Sequence, residues 1–393
     1  MTQAAQPAPP ARLRYIPALD GLRGLSLPGT IVAHFALFFV AAPSAPHWLA
    51  SVGPLAMNIQ MFFVLSGALI TSLLVAEHRR DGDMQMKNFY LRRSRRLGPA
   101  LLAVLPTMIV LTVFWNGVGI FQPLGAMPWR SVLAVGLFVG NWVLFSVTAG
   151  IGWLGPAWTL GIEEQFYLTW PWILRGVTRR RIDRAAVLMS MALTIVVSLA
   201  VTQILCKHVG YKRAFYSTPA QLPSIIIGCA LGFELTSNPE SVLARALRSR
   251  ILAVTGLAGM VWISIVATHH RPYEVRGFYV PYAAFACLLI GHCFVRATEP
   301  TFVTKFFGWR PFVVVGQISY EAYLVHIIVM FAMVRALPHL HVYPMMALDT
   351  AVIAVLSATF YYLVEQPIRR KGWNAVVFRR KPVSLGSVAE IQP

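Results

Sequence analysis

Long apolar segments separated by short basic clusters constrain this 393-residue chain more than any other feature. A helix needs about 20 mainly apolar residues to cross a bilayer. Segments of this kind lie near 22–43, 53–76, 97–118, 131–149, 185–205, 251–268, 278–296, 312–334 and 346–364, and shorter candidates lie at 160–174 and 220–236. With 57% hydrophobic and only 12% charged residues, the composition excludes a soluble globular protein. The pattern predicts an all-α, polytopic bundle of transmembrane helices.

The distribution of charge orients these helices. The chain has 34 Lys and Arg against 15 Asp and Glu, for a net charge of +19. The basic residues lie in short clusters between apolar segments. This distribution is typical of the cytoplasmic loops of a membrane protein, so we expect no nucleic-acid partner. These clusters fall at 79–96, 175–184, 245–250, 296–310 and 369–381. We therefore expect a multi-pass protein of the inner (plasma) membrane, surrounded by lipids, with both termini in the cytoplasm.

The same rule limits the number of crossings. If the clusters at 79–96 and 175–184 lie on the same side of the membrane, an even number of crossings must separate them. One of the three candidate spans between them therefore does not cross. The candidate at 160–174 is short, contains Pro171 and begins with Glu163 and Glu164, so it or its neighbour enters the membrane without crossing it. The sequence thus predicts about ten membrane-spanning helices and a re-entrant segment near 150–175.

The chain divides into three parts by composition. We expect a disordered cytoplasmic N-terminus over 1–19, a transmembrane domain over 20–367, and a basic cytoplasmic tail over 368–393, with no second catalytic domain. The four cysteines show no paired spacing and no histidine at zinc spacing, so neither a disulfide framework nor a metal site is predicted.

The first apolar segment carries two polar residues on one helical face. Arg23 lies at its cytoplasmic end, and His34 follows ~16 Å along the axis and within about 20° of three full turns. An ionisable group in the hydrocarbon costs at least about 2.5 kcal/mol, which favours a functional role. An arginine for phosphates and a histidine for a reactive carbonyl suit a coenzyme A thioester. The alternative is a structural histidine bonded across helices, with Arg23 as an orienting charge.

An arginine-rich loop follows the second apolar segment. Its residues 89–99 include Arg92, Arg93 and Arg96, and Arg92 and Arg96 share a helical face. Such a cluster beside a membrane suits a diphosphate or an anionic headgroup. The rule that basic residues face the cytoplasm explains such clusters more often.

Two further segments place polar side chains among apolar ones. Glu163 and Glu164 could orient His34 through its second ring nitrogen, hold acceptor hydroxyls, take a proton, or only cap a helix. Ser319, Tyr323 and His326 follow at steps of four and three and share one helical face. They either line the substrate path or form hydrogen bonds between helices.

Together these segments resemble the acyltransferase-3 family of membrane O-acyltransferases. The match runs in order from 19–24 and His34 through 62–67, 89–99 and 158–167 to 319–326, which spans most of the chain. Arg23 and His34 match the Arg-x10-His signature of the family, and Glu163 matches the acid of its Trp-Ser-Leu segment, where Thr159 keeps the hydroxyl of the usual serine. Arg92, Arg93 and Arg96 match the arginine loop.

The resemblance implies an enzyme that takes an acyl group, acetyl or another short one, from cytoplasmic acyl-CoA. The acceptor would be a hydroxyl of a cell-envelope glycan, glycolipid or glycosylated metabolite. No permanently bound cofactor is implied, and we expect none of the appended periplasmic esterase-like domain that some members carry. The residues expected along the substrate path are Trp158, Glu164, Gln165, Tyr167, Ser319, Tyr323 and His326.

The catalytic hypothesis centres on His34, Arg23 and Glu163. Acyl-CoA would bind Arg23 and the arginine loop, and His34 would act either as general base or as a transient acyl carrier. The rival hypothesis is a transporter or flippase in which His34, Glu163 and His326 form a proton relay. Transporters of this size often contain internal repeats, and the sequence shows none.

Overall fold

The structure, a computed structural model, describes residues 15–39, 47–52, 55, 57–114, 133–146, 157–269 and 277–373. All regular elements in these ranges are helical, which confirms the predicted all-α class. The helices are α1 (Pro17–Phe39), α2 (Asn58–Asp81), α3 (Met86–Phe114), α4 (Gly140–Ser146), α5 (Trp158–Arg179), α6 (Arg184–Val209), α7 (Tyr211–Phe215), α8 (Thr218–Ser237), α9 (Val242–Leu247), α10 (Arg250–His269), α11 (Tyr279–Val295), α12 (Phe302–Phe307), α13 (Arg310–Gln317), α14 (Ser319–Ala336), α15 (Val342–Phe360) and α16 (Gln366–Lys371). A 3-10 helix covers His47–Ser51, and a π-helical turn over Tyr361–Glu365 joins α15 to α16.

Six helical segments among the described residues are long and apolar enough to cross a membrane. They are Asn58–Asp81, Arg184–Val209, Arg213–Ser237, Arg250–Thr268, Ser319–Ala336 and Val342–Lys371, and α11 is a shorter apolar helix. Large apolar side chains point outward from them, as Met189, Leu193 and Val196 do from α6. Apolar outer faces of this extent suit a lipid environment. The chain is therefore a multi-pass membrane protein, and the total of about ten crossings stays a prediction.

The interruptions of the bundle differ in detail from the sequence pattern. Helix α5 has 22 residues, ~33 Å at 1.5 Å per residue, and continues through Pro171. Its neighbour is the broken one: a helical turn at 133–136 ends in a turn where Phe138 has a φ of 58°, before α4 begins. Residues 150–156 of the predicted re-entrant segment lie outside the described ranges. The predicted span at 312–334 is divided at Ile318, whose φ of −90° and ψ of 4° separate α13 from α14.

Helices α2 and α8 pack with their backbones in contact. A Cβ atom on Gly67 would overlap the carbonyl oxygen of Ile225, and one on Gly228 would overlap the carbonyl oxygen of Val64. Small residues permit such an approach between membrane helices. The buried amide of Gln60 adds a 2.9 Å hydrogen bond to Gln221 across this interface. Helix α2 of this pair also packs against α1 and α5.

The predicted cytoplasmic clusters meet at one end of the bundle. Arg175 and Arg179 donate to Asp83 over 2.5 and 2.7 Å, which holds the pKa of that carboxyl well below its usual range. Arg184 at the start of α6 pairs with Glu234 near the end of α8 at 2.7 Å. We call this the basic end of the molecule.

Candidate functional site

Two histidines from distant parts of the chain meet inside the bundle. His34 lies on α1 and His326 on α14, and Nε2 of His326 is 3.1 Å from Nδ1 of His34. The ring centroids are 5.0 Å apart with planes inclined by 45°. His326 is 0% exposed, whereas His34 is partly exposed. An apolar cluster that includes Phe35 and Met330 surrounds the pair and holds the two helices together.

A chain of hydrogen bonds connects this histidine pair to α5. Nδ1 of His326 bonds the backbone carbonyl of Tyr323 at 2.7 Å, within the same helix. The hydroxyl of Tyr323 in turn bonds Oγ1 of Thr159 at 2.9 Å. Thr159 belongs to the segment that carries Glu163 and Glu164. The structure thus brings three of the segments identified in the sequence together along one polar path.

Glu163 lies beside this path and accepts a hydrogen bond from a residue of α2. Its Oε1 accepts a 3.2 Å hydrogen bond from Ser66, whose hydroxyl also bonds Tyr167. The charge of Glu163 acts on Tyr323, and the charges of Arg93 and Arg23 act on Glu163. Ser66 lies within a segment that carried the family resemblance but was not assigned a role. The only sequence signal for it is a hydroxyl inside an otherwise apolar helix.

Arg93 joins α3 to α5 through a bidentate ion pair. Its Nε donates to Oε2 of Glu164 at 3.1 Å, and its Nη2 donates to Oε1 of the same carboxylate. The guanidinium carbon also lies 3.1 Å from the ring centroid of Tyr167. With its side chain only 15% exposed, Arg93 is bound within the protein on two sides. Such fork-to-carboxylate pairs are among the stronger side-chain contacts.

Three other arginines converge at the basic end. Arg96 on α3 lies within electrostatic reach of Arg23 on α1 and of Arg369 on α16. Asp20 holds Arg23 at 2.9 Å, where its side chain is 12% exposed, and Glu365 holds Arg369 at 3.2 Å. We call Arg23, Arg96 and Arg369 the arginine triad. Like charges brought this close favour an anionic ligand between them.

A buried pair of carboxyl groups balances part of this charge. Glu321 at the start of α14 and Glu365 lie in contact and are each 2% exposed, and the charge of Arg96 acts on Glu321. Sequence reasoning missed both Glu321 and Arg369. A basic residue after the last span is expected from membrane orientation alone, so nothing marked Arg369 as different from its neighbours.

The other predicted path residues make anchoring contacts. Gln165 donates to the carbonyl of Phe138 at 2.8 Å and accepts from Thr218 at 2.9 Å, so it ties α5 to α8 and to the turn before α4. Ser319 donates to the carbonyl of Gly316 at 2.8 Å. Trp158 packs edge-on against Phe63, with ring centroids 6.5 Å apart.

Arg92 lies at the edge of the arginine loop. Its side chain is 60% exposed, and it is 3.8 Å from Glu77. Among the residues that the structure describes, no group of three or more His, Cys, Asp or Glu is placed to hold a metal ion.

Comparisons with known proteins identify a family and several relatives. Residues 16–364 match a family described as an acyltransferase domain. The O-acetyltransferase OatA of Staphylococcus aureus (strain MRSA252) is 30% identical, with 94% of this chain and 60% of the relative covered. The peptidoglycan O-acetyltransferase OatA of Listeria monocytogenes is 26% identical over 94% of this chain and 60% of its own length.

A third relative shows the same partial overlap. The putative peptidoglycan O-acetyltransferase YrhL of Bacillus subtilis is 29% identical, with 92% of this chain and 56% of the relative covered. The chain therefore spans less than two thirds of the length of these curated relatives. No solved structure is significantly similar to it.

Proposed function

Because this chain belongs to the acyltransferase-3 family, we propose that it is a membrane O-acyltransferase that uses cytoplasmic acyl-CoA. The acyl group is acetyl or another short group, and the acceptor is a hydroxyl of a cell-envelope glycan, glycolipid or glycosylated metabolite. The observation that carries the proposal is the polar path from the arginine triad through Glu163 and Tyr323 to the His34–His326 pair. Similarity to the peptidoglycan O-acetyltransferase of Listeria monocytogenes supports a glycan acceptor.

The arginine triad is the proposed site for the phosphates of the donor. Arg23, Arg96 and Arg369 come from three different helices and present cationic groups at the basic end. His34 lies eleven residues beyond Arg23 on α1, ~16 Å at 1.5 Å per residue. That separation suits a donor whose anionic groups and thioester are at opposite ends of a long, thin arm.

His34 is the proposed group that handles the transferred proton or acyl group. As general base it takes the proton of the acceptor hydroxyl while the oxygen attacks the thioester carbonyl. The tetrahedral intermediate then collapses, the C–S bond breaks, and the thiolate leaves and takes the proton from the imidazolium. As acyl carrier, His34 attacks the thioester carbonyl, and the C–S bond breaks to release the thiolate. The acceptor hydroxyl then attacks the acyl carbon, the N–C bond to His34 breaks, and the hydroxyl proton passes to the thiolate. Both routes yield the same ester and free coenzyme A thiol.

The test compares cells that carry the wild-type protein or His34→Gln at equal levels in the membrane. Mass spectrometry of envelope glycans and glycolipids should find an alkali-labile ester with the wild type. With His34→Gln, the initial rate of ester formation should fall by about 10²- to 10⁴-fold, the range for loss of a general base. His339→Gln, which replaces an exposed histidine, is the matched control. Undiminished ester formation by a folded His34→Gln variant would contradict the catalytic role.

A further inference from the structure

The contact between the two histidines can be resolved into donors and acceptors. Nδ1 of His326 lies 2.7 Å from the carbonyl oxygen of Tyr323. A carbonyl oxygen only accepts hydrogen bonds. Nδ1 of His326 therefore carries a hydrogen atom and donates it to this carbonyl.

The surroundings of His326 determine its second nitrogen. The ring is 0% exposed, and among the described residues the groups that act on it are His34 and the backbone carbonyls of Tyr323 and Ala322. A positive charge buried here without a carboxylate partner would be costly, so the ring is neutral. A neutral imidazole has one N–H, and in His326 that hydrogen is on Nδ1. Nε2 of His326 therefore has a lone pair and acts as acceptor.

This assignment determines the tautomer of His34. Nε2 of His326 lies 3.1 Å from Nδ1 of His34, so Nδ1 of His34 must donate. The backbone carbonyl of Thr30, one turn earlier on α1, also bonds the His34 ring and likewise only accepts. With Nδ1 protonated, the lone pair of His34 is on Nε2. We propose that His326 is a positioning residue that fixes this tautomer and makes Nε2 the reactive nitrogen of His34.

The consequence for the chemistry rests on the proposed function. When Nε2 of His34 takes a proton, the ring becomes an imidazolium, and Nδ1–H remains hydrogen-bonded to the lone pair of His326. The same nitrogen would form the bond to the acyl carbon in the acyl-carrier route. Without an acceptor at position 326, only the carbonyl of Thr30 would hold the hydrogen on Nδ1 of His34. The tautomer with hydrogen on Nε2, which accepts no proton there, would then be populated more than in the wild type.

Nitrogen-15 NMR of the histidine-labelled protein in lipid nanodiscs tests the assignment without measuring activity. The His34 signals are identified by their loss in His34→Gln. We expect a protonated Nδ1 and an unprotonated Nε2 for His34. His292 is an internal reference, because its Nδ1 lies 2.9 Å from the carbonyl of Leu247 and must also carry hydrogen. A wild-type His34 with its hydrogen on Nε2 would overturn the inference.

Two substitutions separate positioning from packing. His326→Gln offers an amide oxygen as acceptor, whereas His326→Leu fills the space with no acceptor. We expect mixed His34 tautomers in the Leu variant. Its kcat should be lower by about 10- to 100-fold, the range for loss of groups that orient metal-binding histidines, and its KM for acyl-CoA should stay within about twofold of the wild-type value. The Gln variant should recover most of kcat. His339→Gln is the control.

The outcomes distinguish this inference from the proposed function. If His326→Leu leaves the His34 tautomer unchanged, His326 does not fix it and the inference is wrong. If the tautomer is as expected but the wild type forms no ester and releases no thiol, the positioning role stands and the proposed function is wrong.

Discussion

Two arginines of the segment 89–99, Arg93 and Arg96, differ in their partners. The fork of Arg93 is bonded to Glu164 and stacked on Tyr167, so it holds α3 against α5. Arg96, one turn later, meets the charges of Arg23 and Arg369 instead. A bound phosphate would offset the repulsion within this triad, whereas it would have to compete with Glu164 for Arg93. We therefore expect donor affinity to depend on Arg96 and folding to depend on Arg93.

Substituting these two arginines should separate binding from stability. Arg96→Gln should raise KM for acyl-CoA by about 10- to 100-fold, because a hydrogen bond to a charged group contributes about 1.5–3 kcal/mol, and should leave kcat and the melting temperature nearly unchanged. Arg93→Lys should lower the melting temperature, since lysine replaces neither the bidentate pair nor the stacking. Initial rates across acyl-CoA concentrations and thermal unfolding in detergent measure the two effects.

The control for this comparison is Lys87→Gln, which removes an exposed charge at the start of α3. Its KM should remain at the wild-type value. An equal rise in KM for Lys87→Gln and Arg96→Gln would show a general effect of charge at the basic end and no specific phosphate site.

At the scale of single residues, the sequence identifies polar groups but not their partners. Arg23, His34 and Glu163 stand out because polar groups are costly in an apolar segment. The spacing left open which group orients His34, and Glu163 was one candidate. The structure places Ser66 against Glu163 and His326 against His34. Residues 292 positions apart meet only through the packing of α1 on α14, which no local pattern encodes.

At the scale of helices, the sequence predicts their existence better than their breaks. Hydropathy over about 20 residues detects the apolar character of 312–334 but averages over a single turn such as the one at Ile318. Pro171 suggested an interruption, yet α5 continues through it. Proline is tolerated within a membrane bundle because neighbouring groups satisfy the backbone carbonyl it leaves unpaired.

The contact between α2 and α8 predicts unequal effects of two glycine substitutions. Gly67→Ala places a methyl group against the carbonyl of Ile225 and should destabilise the fold by about 1–3 kcal/mol, as overpacking does. Gly176→Ala, in α5, meets no atom within 4 Å and should be neutral or stabilising by up to ~1 kcal/mol. Melting temperatures in the same detergent compare the two variants. Equal losses would mean that α2 and α8 are not in backbone contact.

At the scale of the whole molecule, the basic clusters and the candidate site are arranged along the length of α1. Basic segments that are far apart in sequence meet at the basic end through pairs such as Arg175–Asp83 and Arg184–Glu234. The arginine triad lies towards this end, because Arg96 is about three turns into α3, which begins just after Asp83. The histidine pair lies ~16 Å further along α1. If the basic end faces the cytoplasm, the donor enters there and its thioester reaches the interior of the bundle.

Cysteine labelling tests this orientation directly. Glu240 is exposed between α8 and α9 at the basic end. His208 is exposed on the last turn of α6, 24 residues and ~36 Å from Arg184 at the other end of that helix. With the four native cysteines replaced by alanine, a membrane-impermeant maleimide should label Glu240→Cys only in inverted vesicles and His208→Cys only in spheroplasts. The reverse pattern would place the arginine triad away from the cytoplasm and contradict donation from cytoplasmic acyl-CoA. The tautomer of His34 is assigned from hydrogen bonds inside the bundle, so that pattern would leave it unaffected.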